Sequence, residues 1–221
     1  MNQTHKQWLD NEYSQWVHAL QESTVYNFKE HPIVKRMLGE IEWPVEFRPI
    51  LSSYVEGQII AIDYMGHTGP IYEITDTCWR MVYYAKKVME RQPMSIVEIG
   101  GGAGQFFAIL SALGWHGDYW IHDLPEVKQF QYRYLAEVTY LTKLPLSQTN
   151  MTASPFCISF YALGEFDDEL KKWYIDNVVK KCPHGFVLWN PHSGASADIN
   201  FPCTITDEYP LLADGNKQLE W

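Results

Sequence analysis

The stretch that most constrains the fold of this chain is SIVEIGGGAGQFFAIL, at residues 95–110. It begins with a short apolar, β-branched run, passes through a cluster of glycines, and continues with apolar residues at helical spacing. Phe106, Phe107 and Leu110 belong to that helical stripe, and Gly114 marks its end. A strand, a glycine turn and a helix in this order predict the opening unit of a nucleotide-binding α/β sheet.

The spacing of the glycines distinguishes the cofactors that such a turn binds. A phosphate loop needs G-x-x-x-x-G-K-[ST] and a dinucleotide site needs G-x-G-x-x-G, and residues such as Ala103, Gln105 and Phe107 break both patterns. The pattern that fits is acidic-x-G-x-G-x-G, from Glu98 to Gly104. It resembles motif I of the class I S-adenosylmethionine (SAM) methyltransferases. A carboxylate suits SAM, which carries a sulfonium and an ammonium, and would repel a pyrophosphate.

Charge and cysteine content exclude several classes of protein. The chain has 17 basic and 27 acidic residues, a formal net charge of −10, whereas non-specific nucleic-acid binding depends on Lys and Arg. Its four cysteines are far apart and form no C-x-x-C pair, which argues against a zinc site or a disulfide scaffold and suits a reducing compartment. No apolar run approaches the ~18 residues of a membrane span. We therefore expect a cytoplasmic protein without nucleic-acid or membrane partners.

Residues 1–91 are predicted to form a helical extension before the first strand. Apolar residues recur at helical spacing over residues 6–21, 32–41 and 77–91, and the breaker-rich loop DYMGHTGP occupies residues 63–70. In this architecture such a leader lies over the open end of the sheet and covers the substrate. We therefore expect Tyr64 and His67 of the loop to contact the substrate, and residues 92–221 to form the α/β core.

A second acidic residue follows the next predicted strand, at residues 118–122. Asp123 stands about twenty residues beyond Gly104, the distance at which an acidic residue accepts hydrogen bonds from ribose hydroxyls. Because Pro125 opens the following helix, the alternative role of Asp123 is to cap that helix. Two carboxylates at the ends of adjacent parallel strands favour the ribose role.

Further strands and helices alternate along the rest of the chain. Strands are predicted at 145–149, 156–160 and 185–189, and residues 202–208 and 217–221 are predicted to form a closing hairpin. The fold class is therefore α/β, with a mostly parallel, Rossmann-like seven-stranded sheet and helices on both faces. Ligands of such sheets bind beyond the carboxyl ends of the strands. The candidate residues at those ends are Gly100, Asp123, Asn150, Tyr161, Glu165, Asn190 and His192.

Several segments together resemble a family of sugar O-methyltransferases. They read VEIGGGAG at 97–104, HDLPEVKQFQYRYL at 122–135, FYALGEF at 160–166, KWYIDNV at 172–178, GFVLWN at 185–190 and DGNKQLEW at 214–221. The loop at 63–70 is also similar, and the likeness extends over about residues 28–221, with DLPE its most specific part. One departure is Gly164, where the family pattern has Ser. The other is the short length of the chain, which leaves the acceptor pocket undefined.

This resemblance implies a class I methyltransferase fold, SAM as cofactor and a sugar hydroxyl as methyl acceptor. From the motifs and strand ends described above, we expect substrate contacts at Tyr64, His67 and Asn190. We expect cofactor contacts at Glu98, Gly100, Gly101, Gly102, Gly104, Gln105, Asp123, Leu124, Asn150 and Tyr161.

Methyl transfer to a hydroxyl needs an aligned acceptor and a general base. His192 is the first candidate base because imidazole titrates near neutral pH, although an ordinary loop histidine would fit the same position. Glu165 is the second, as base or as a ligand of acceptor hydroxyls, with a cap at the helix entry as its alternative role. Tyr161 is expected to line the methyl or acceptor pocket. No compact His/Asp cluster is present in the sequence, so we expect no metal.

Other functions stay open at this point. The chain could methylate a nitrogen or another small molecule, or could be a non-catalytic SAM-fold subunit that supports a partner. A nicotinamide oxidoreductase is disfavoured because the dinucleotide spacing fails. The expected partner is a small-molecule or glycan substrate, and assembly into a homo-oligomer is left open.

Overall fold

The computed structural model describes residues 76–138, 154–190, 199–209 and 214–221, together with the helical residues Gln15, Ala19 and Pro32. The predicted helices before residue 76 otherwise lie outside the described residues. So do the predicted strand at 145–149 and the loop at 63–70.

Helices and strands alternate in the order that the sequence predicts. The helices are α1 (Asp76–Glu90), α2 (Gln105–Ala112), α3 (Pro125–Val138), α4 (Ala162–Glu165) and α5 (Asp168–Asn177). The strands are β1 (Ser95–Ile99), β2 (Asp118–His122), β3 (Phe156–Phe160), β4 (His184–Trp189), β5 (Thr204–Asp207) and β6 (Lys217–Glu220), and a 3₁₀ turn at Val179–Lys181 precedes β4.

The described strands form one mixed sheet in the order β2-β1-β3-β4-β6-β5. β1 pairs in parallel with β2 and with β3, and β3 pairs in parallel with β4. β6 is antiparallel to both β4 and β5, which confirms the predicted hairpin. The connection between β5 and β6 is short, so these strands can pair only antiparallel, because a parallel pair requires a long crossover.

The prediction of seven strands is wrong for the described residues, which form six.

The chain divides into two compact units. The helical unit consists of Met1–Arg91, Gly102–His116 and Leu124–Leu144, and it contains α1, α2 and α3. The sheet unit consists of Gln92–Gly101, Gly117–Asp123 and Pro145–Trp221, and it contains the described strands with α4 and α5.

The helical unit buries the apolar faces of its helices. Val82, Ala85 and Val88 of α1 are fully buried, and so are Ile109 and Leu110 of α2. The guanidinium of Arg80, also buried, lies 5.5 Å from the centre of the Tyr84 ring one turn later. These contacts follow from the helical spacing of the apolar residues.

The sheet unit has a core of aliphatic and aromatic side chains from its strands and from α4 and α5. All five residues of β1 are buried, as expected for a central strand of a parallel sheet. The core cluster comprises Val97, Ile99, Trp120, Cys157, Leu163, Ile175, Val178, Val179, Cys182, Val187, Trp189, Ile199 and Leu219. Among the described residues, no helix is long and apolar enough to cross a membrane.

Candidate active site

The strand register brings the predicted site residues of the sheet unit to one edge. Ile99 pairs with His122, Phe160 with Leu188, and Lys217 with both Trp189 and Asp207. The residues that follow β1 to β5 and the residue that precedes β6 therefore share the carboxyl edge of the parallel strands. In the order of the sheet, from β2 to β5, they are Asp123, Gly100, Tyr161, Asn190, Asn216 and Glu208.

β1 and β3 form the topological switch point of the sheet. From this central pair the chain adds β2 on one side and β4 on the other, and ligands of open α/β sheets bind outside such a point. At the end of β1 the backbone of Gly100 has φ +73°, and a Cβ there would overlap the Cβ of Ala162. A Cβ on Gly101 would lie 2.5 Å from Ile121 Cγ2 and 2.8 Å from Glu98 Oε2. Contacts within the chain therefore already require glycine at both positions.

Glu98 lies buried against this turn, with only 2% of its surface exposed. Its Oε2 accepts a hydrogen bond of 2.8 Å from the hydroxyl of Tyr119, which is also buried. Burial and the nearby charge of Asp123 raise the pKa of Glu98 to about 8, although the hydrogen bond from Tyr119 opposes them. Glu98 is therefore mostly protonated at pH 7 in the chain alone, and a cation bound nearby would favour its ionised form.

Tyr174 of α5 lies beside the end of β2. Its ring contacts His122 edge-to-face, with 5.9 Å between the ring centres, and stacks on Phe166 at 5.1 Å. Burial, followed by the charge of Asp123, raises the pKa of Tyr174 to about 12. The sequence analysis did not single out Tyr174 within the segment KWYIDNV, because nothing local reveals which strand end α5 reaches.

Tyr161 follows β3 in a left-handed backbone conformation, with φ +68°. Its N–H donates to the carbonyl of Leu188 at 2.9 Å, and its hydroxyl donates to Glu208 Oε1. Glu208 is 2% exposed. Its Oε2 accepts a hydrogen bond of 2.7 Å from Asn216 Nδ2, and its N–H donates to the Asn216 carbonyl at 3.1 Å. Sequence reasoning missed Glu208 and Asn216, since both lie in the hairpin that was predicted only as a closing element.

Two predicted residues, Asn190 and Glu165, meet at the same edge. The side-chain amide of Asn190 donates to Glu165 Oε1 at 3.3 Å. The short helix α4, which carries Glu165, is tied to the sheet by the buried Ser159. The Ser159 hydroxyl donates to the Ile99 carbonyl at 2.9 Å and accepts from the N–H of Leu163 at 3.2 Å.

Gly164 marks a departure from the sugar O-methyltransferase pattern, and the packing of Trp189 accounts for it. A Cβ on Gly164 would lie 3.3 Å from Trp189 Cδ2 and 3.4 Å from Trp189 Cε2. The serine of the family pattern would press against this indole ring.

The remaining predicted cofactor residues that the structure describes belong to the helical unit. The carbonyl of Gly102 accepts a hydrogen bond of 2.8 Å from Gln131, and Gly104, at φ 86°, precedes the first turn of α2. Gln105 is buried, and the Leu124 carbonyl accepts from the N–H of Lys128 at 3.1 Å. Tyr64, His67, Asn150 and His192 lie outside the described residues. The binding and catalytic roles of all these residues stay predictions.

Comparison with known proteins gives a likeness in structure only. No protein-family model matches the chain, and no curated protein matches it. The structure of PigF with SAH (S-adenosyl-L-homocysteine) covers 97% of this chain and 71% of its own, with a TM-score of 0.50 and 10% identity. The match to magnesium protoporphyrin IX methyltransferase (ChlM) from Synechocystis PCC 6803 with bound SAM covers 81% of this chain and 98% of that one, with a TM-score of 0.48 and 10% identity. The match to the O-methyltransferase NcsB1 from neocarzinostatin biosynthesis, in complex with SAH, covers 97% of this chain and 71% of that one, with a TM-score of 0.46 and 11% identity.

At such low identity these comparisons concern the fold alone. The likeness to PigF, with its TM-score of 0.50, is therefore a likeness of fold. The strand order and the parallel central strands give the chain an α/β Rossmann-like fold.

Proposed function

We propose that this protein is a SAM-dependent O-methyltransferase whose acceptor is a hydroxyl of a sugar or glycan precursor. The observation that carries the methyl-donor part is the placement of Glu98 and Asp123. The two carboxyl groups lie near the carboxyl ends of adjacent parallel strands, beside the turn at Gly100. The sugar part is supported by the resemblance of the motifs from VEIGGGAG to DGNKQLEW. The fold supports the same reading, since PigF was solved with SAH.

The residues at the carboxyl edge of the sheet unit fit SAM. Gly100 follows β1 at the switch point, and Asp123, which follows the adjacent β2, is the residue proposed to accept from the ribose hydroxyls. The carboxylate of Asp123 favours a cationic ligand and would repel the pyrophosphate of a dinucleotide. A bound cation would also favour the ionised form of Glu98. When bound, SAM supplies an electrophilic methyl group.

The chain itself must orient the acceptor and remove its proton. We assign the general base to His192 or Glu165, in that order. Glu165 is held in place by the Asn190 amide, which donates to its Oε1 at 3.3 Å. A base within hydrogen-bond reach of the acceptor contributes roughly 10²–10⁴-fold to such a reaction.

The cofactor assignment is tested by isothermal titration calorimetry with SAM and with NAD. We expect the chain to bind SAM and not NAD. Asp123→Asn should weaken SAM binding by about tenfold, because a charged hydrogen bond to ribose is worth about 1.5–3 kcal/mol. Asp118→Asn, at the opposite end of the same strand, is the matched control and should change SAM affinity less than twofold. Absence of SAM binding to the wild-type chain, or equal effects of the two variants, would contradict the assignment.

The acceptor and the base are tested by mass spectrometry of reactions with SAM and a panel of hexoses, methyl glycosides and nucleotide sugars. In the expected product a methyl group replaces one hydroxyl hydrogen, so its mass exceeds that of the sugar by one CH₂. His192→Ala or Glu165→Gln should lower turnover at least about tenfold while SAM affinity is kept. A panel without any methylated sugar, alongside normal SAM binding, would overturn the sugar assignment and leave SAM binding standing.

A further inference from the structure

A cavity of about 270 Å³ lies in the sheet unit, beside one face of α5. Residues of a helix that are three or four positions apart share a face, and five residues of α5 with this spacing line the cavity together with three residues from later segments. The lining residues are Asp168, Lys171, Lys172, Ile175, Asp176, Lys180, Ile199 and Asn200. None of them is a candidate residue for methyl transfer.

Lys171 is the cation of this cavity that the fold holds in place. Its side chain is only 10% exposed, and its Nζ lies 5.1 Å from the centre of the buried Trp189 ring. Its ion-pair partner is Asp168, whose side chain is fully exposed and whose Oδ1 is 3.6 Å from Nζ, too far for a hydrogen bond. An ammonium group that is largely withdrawn from water needs acceptors for its N–H groups. Lys171 therefore favours a ligand that supplies acceptors in the cavity.

The other two lysines of the cavity share one carboxylate. Lys172 and Lys180 each donate to Asp176, at 2.7 Å and 2.6 Å. An ammonium group has three N–H donors, so each lysine retains donors for a ligand after this contact. The cavity lining carries three ammonium groups and two carboxylates, which gives one net positive charge in a chain whose formal net charge is −10. Such a local excess of positive charge attracts an anion.

The donors and the volume of the cavity indicate which kind of anion fits. A phosphate group has three strong acceptor oxygens, one for each ammonium group, whereas a carboxylate has two. Lysine binds phosphate as a point charge, without the planar geometry that arginine requires. The volume is slightly below the roughly 300–1,000 Å³ of sites for drug-sized ligands, and Ile175 and Ile199 add apolar surface to the lining. The cavity therefore suits a small molecule that has a carbon skeleton beside its phosphate group.

We propose that this cavity is a binding site for a small phosphate-bearing molecule, with Lys171 as its fixed contact and Lys172 and Lys180 as further donors to the phosphate oxygens. The site binds its ligand without chemical change. It does not depend on the proposed methyl transfer, and its test needs neither SAM nor turnover.

The ligand class is tested by isothermal titration calorimetry with a hexose 6-phosphate, inorganic phosphate, a hexuronate and the neutral hexose. We expect the hexose phosphate to bind with a dissociation constant below about 1 mM and at least about tenfold more tightly than the neutral hexose or the hexuronate. Inorganic phosphate that binds equally well would identify the free ion as the ligand, and weaker binding would identify the ester. Absence of binding by both phosphates, or equal binding of the hexuronate or the neutral hexose, would overturn the proposal.

The location of the site is tested with Lys171→Met. Methionine keeps an apolar stem beside Trp189 and removes the ammonium group, so phosphate binding should weaken at least about tenfold. Lys181→Met is the matched control, because Lys181 is exposed and adjacent to Lys180 but does not line the cavity. It should change the affinity less than about twofold. Equal effects of the two variants would mean that phosphate binds elsewhere and would overturn the proposal.

A second variant, Asp176→Asn, tests the site without changing a buried residue. It removes the carboxylate that Lys172 and Lys180 share, so the affinity for the hexose phosphate should rise at least about threefold. Glu169→Gln, an equal change of charge at an exposed position of α5 outside the cavity lining, should leave the affinity within about twofold. An affinity that is unchanged or lower in Asp176→Asn would overturn the proposal.

Discussion

At the residue scale, a buried carboxyl group at Glu98 makes the stability of the sheet unit depend on pH. The side chain has one hydrogen bond from Tyr119, and its charge would be opposed by burial and by Asp123. The folded chain therefore favours the neutral form. A bound cation would favour the ionised form, so Glu98 links the protonation of the fold to occupancy of the site.

We expect stability to fall as pH rises from about 4.5 to about 8. The pKa of Glu98 is about 8 in the folded chain, above its ordinary value of 4.5, so the folded state keeps a proton that the unfolded chain loses. This contribution is fully present below pH 4.5 and is lost as pH rises through 8, with a slope of at most about 1.4 kcal/mol per pH unit. Glu98→Gln should remove it, as measured by urea unfolding across this pH range.

The exposed Glu169 of α5 provides the control for this pH experiment. Glu169→Gln should leave the pH dependence of unfolding as it is in the wild type. Parallel stability curves for wild type and Glu98→Gln would show that Glu98 is ionised in the folded chain.

At the scale of elements, the start of β4 is held between two neighbours that leave no space for a side chain. Gly185 exchanges two backbone hydrogen bonds of 3.2 Å with Trp221, whose indole N–H donates to the Cys182 carbonyl at 3.0 Å. A Cβ on Gly185 would overlap this indole and would lie 2.5 Å from the Cys157 carbonyl oxygen. That oxygen belongs to β3, which pairs with β4, so it cannot move without disturbing the sheet.

Gly185→Ala should therefore lower the free energy of unfolding by about 3 kcal/mol, at the upper end of overpacking effects. Gly164→Ala is the graded comparison, because its Cβ would be 3.3 Å from the Trp189 ring, and it should lower that free energy by about 1 kcal/mol. Denaturant titration measures both values. Equal losses would mean that the clash at Gly185 is relieved by movement of Trp221.

The elements that the sequence predicted correctly are those whose signals lie within a short stretch of the chain. β2 and β3 occupy the predicted residues 118–122 and 156–160, because each is an apolar run bounded by breakers. Asp167 caps α5 by accepting from the N–H of Leu170 at 2.8 Å, a contact between residues three positions apart. The hydrogen bond from the Tyr161 hydroxyl to Glu208 had no such local signal in the sequence. It joins residues 47 positions apart through the insertion of β6 between β4 and β5, and no periodicity in the chain encodes that order.

For the site, the sequence predicted which residues lie at the carboxyl edge of the sheet, but it did not predict the contacts that their side chains make. Asp123, Asn190 and Glu165 were expected at the carboxyl edge because each follows an apolar run in an alternating α/β pattern. The burial of Glu98 and the approach of Tyr174 depend on the tertiary packing of β2 and α5. The functional roles of these residues stay predictions until binding is measured.

At the scale of the whole molecule, the excess of acidic residues should affect the binding of SAM, the proposed cofactor, and of SAH differently. The chain has a formal net charge of −10, and its field attracts cations at low ionic strength. SAM carries a sulfonium that SAH lacks. We expect sodium chloride raised from about 0.05 to about 0.5 M to weaken SAM binding about threefold more than SAH binding. Calorimetry at both salt concentrations tests this, and an equal salt response of the two ligands would contradict a cation-selective site.

The order of strands also has a consequence for synthesis on the ribosome. Among the described strands, β5 pairs only with β6, which the ribosome makes later and which inserts between β4 and β5. A nascent chain that has released β5 but not β6 carries unpaired backbone groups, together with Ile205, which is 47% exposed even in the folded chain. Such edges pair readily with other chains. Crowded polysomes would therefore be the setting in which this protein is most prone to misassembly.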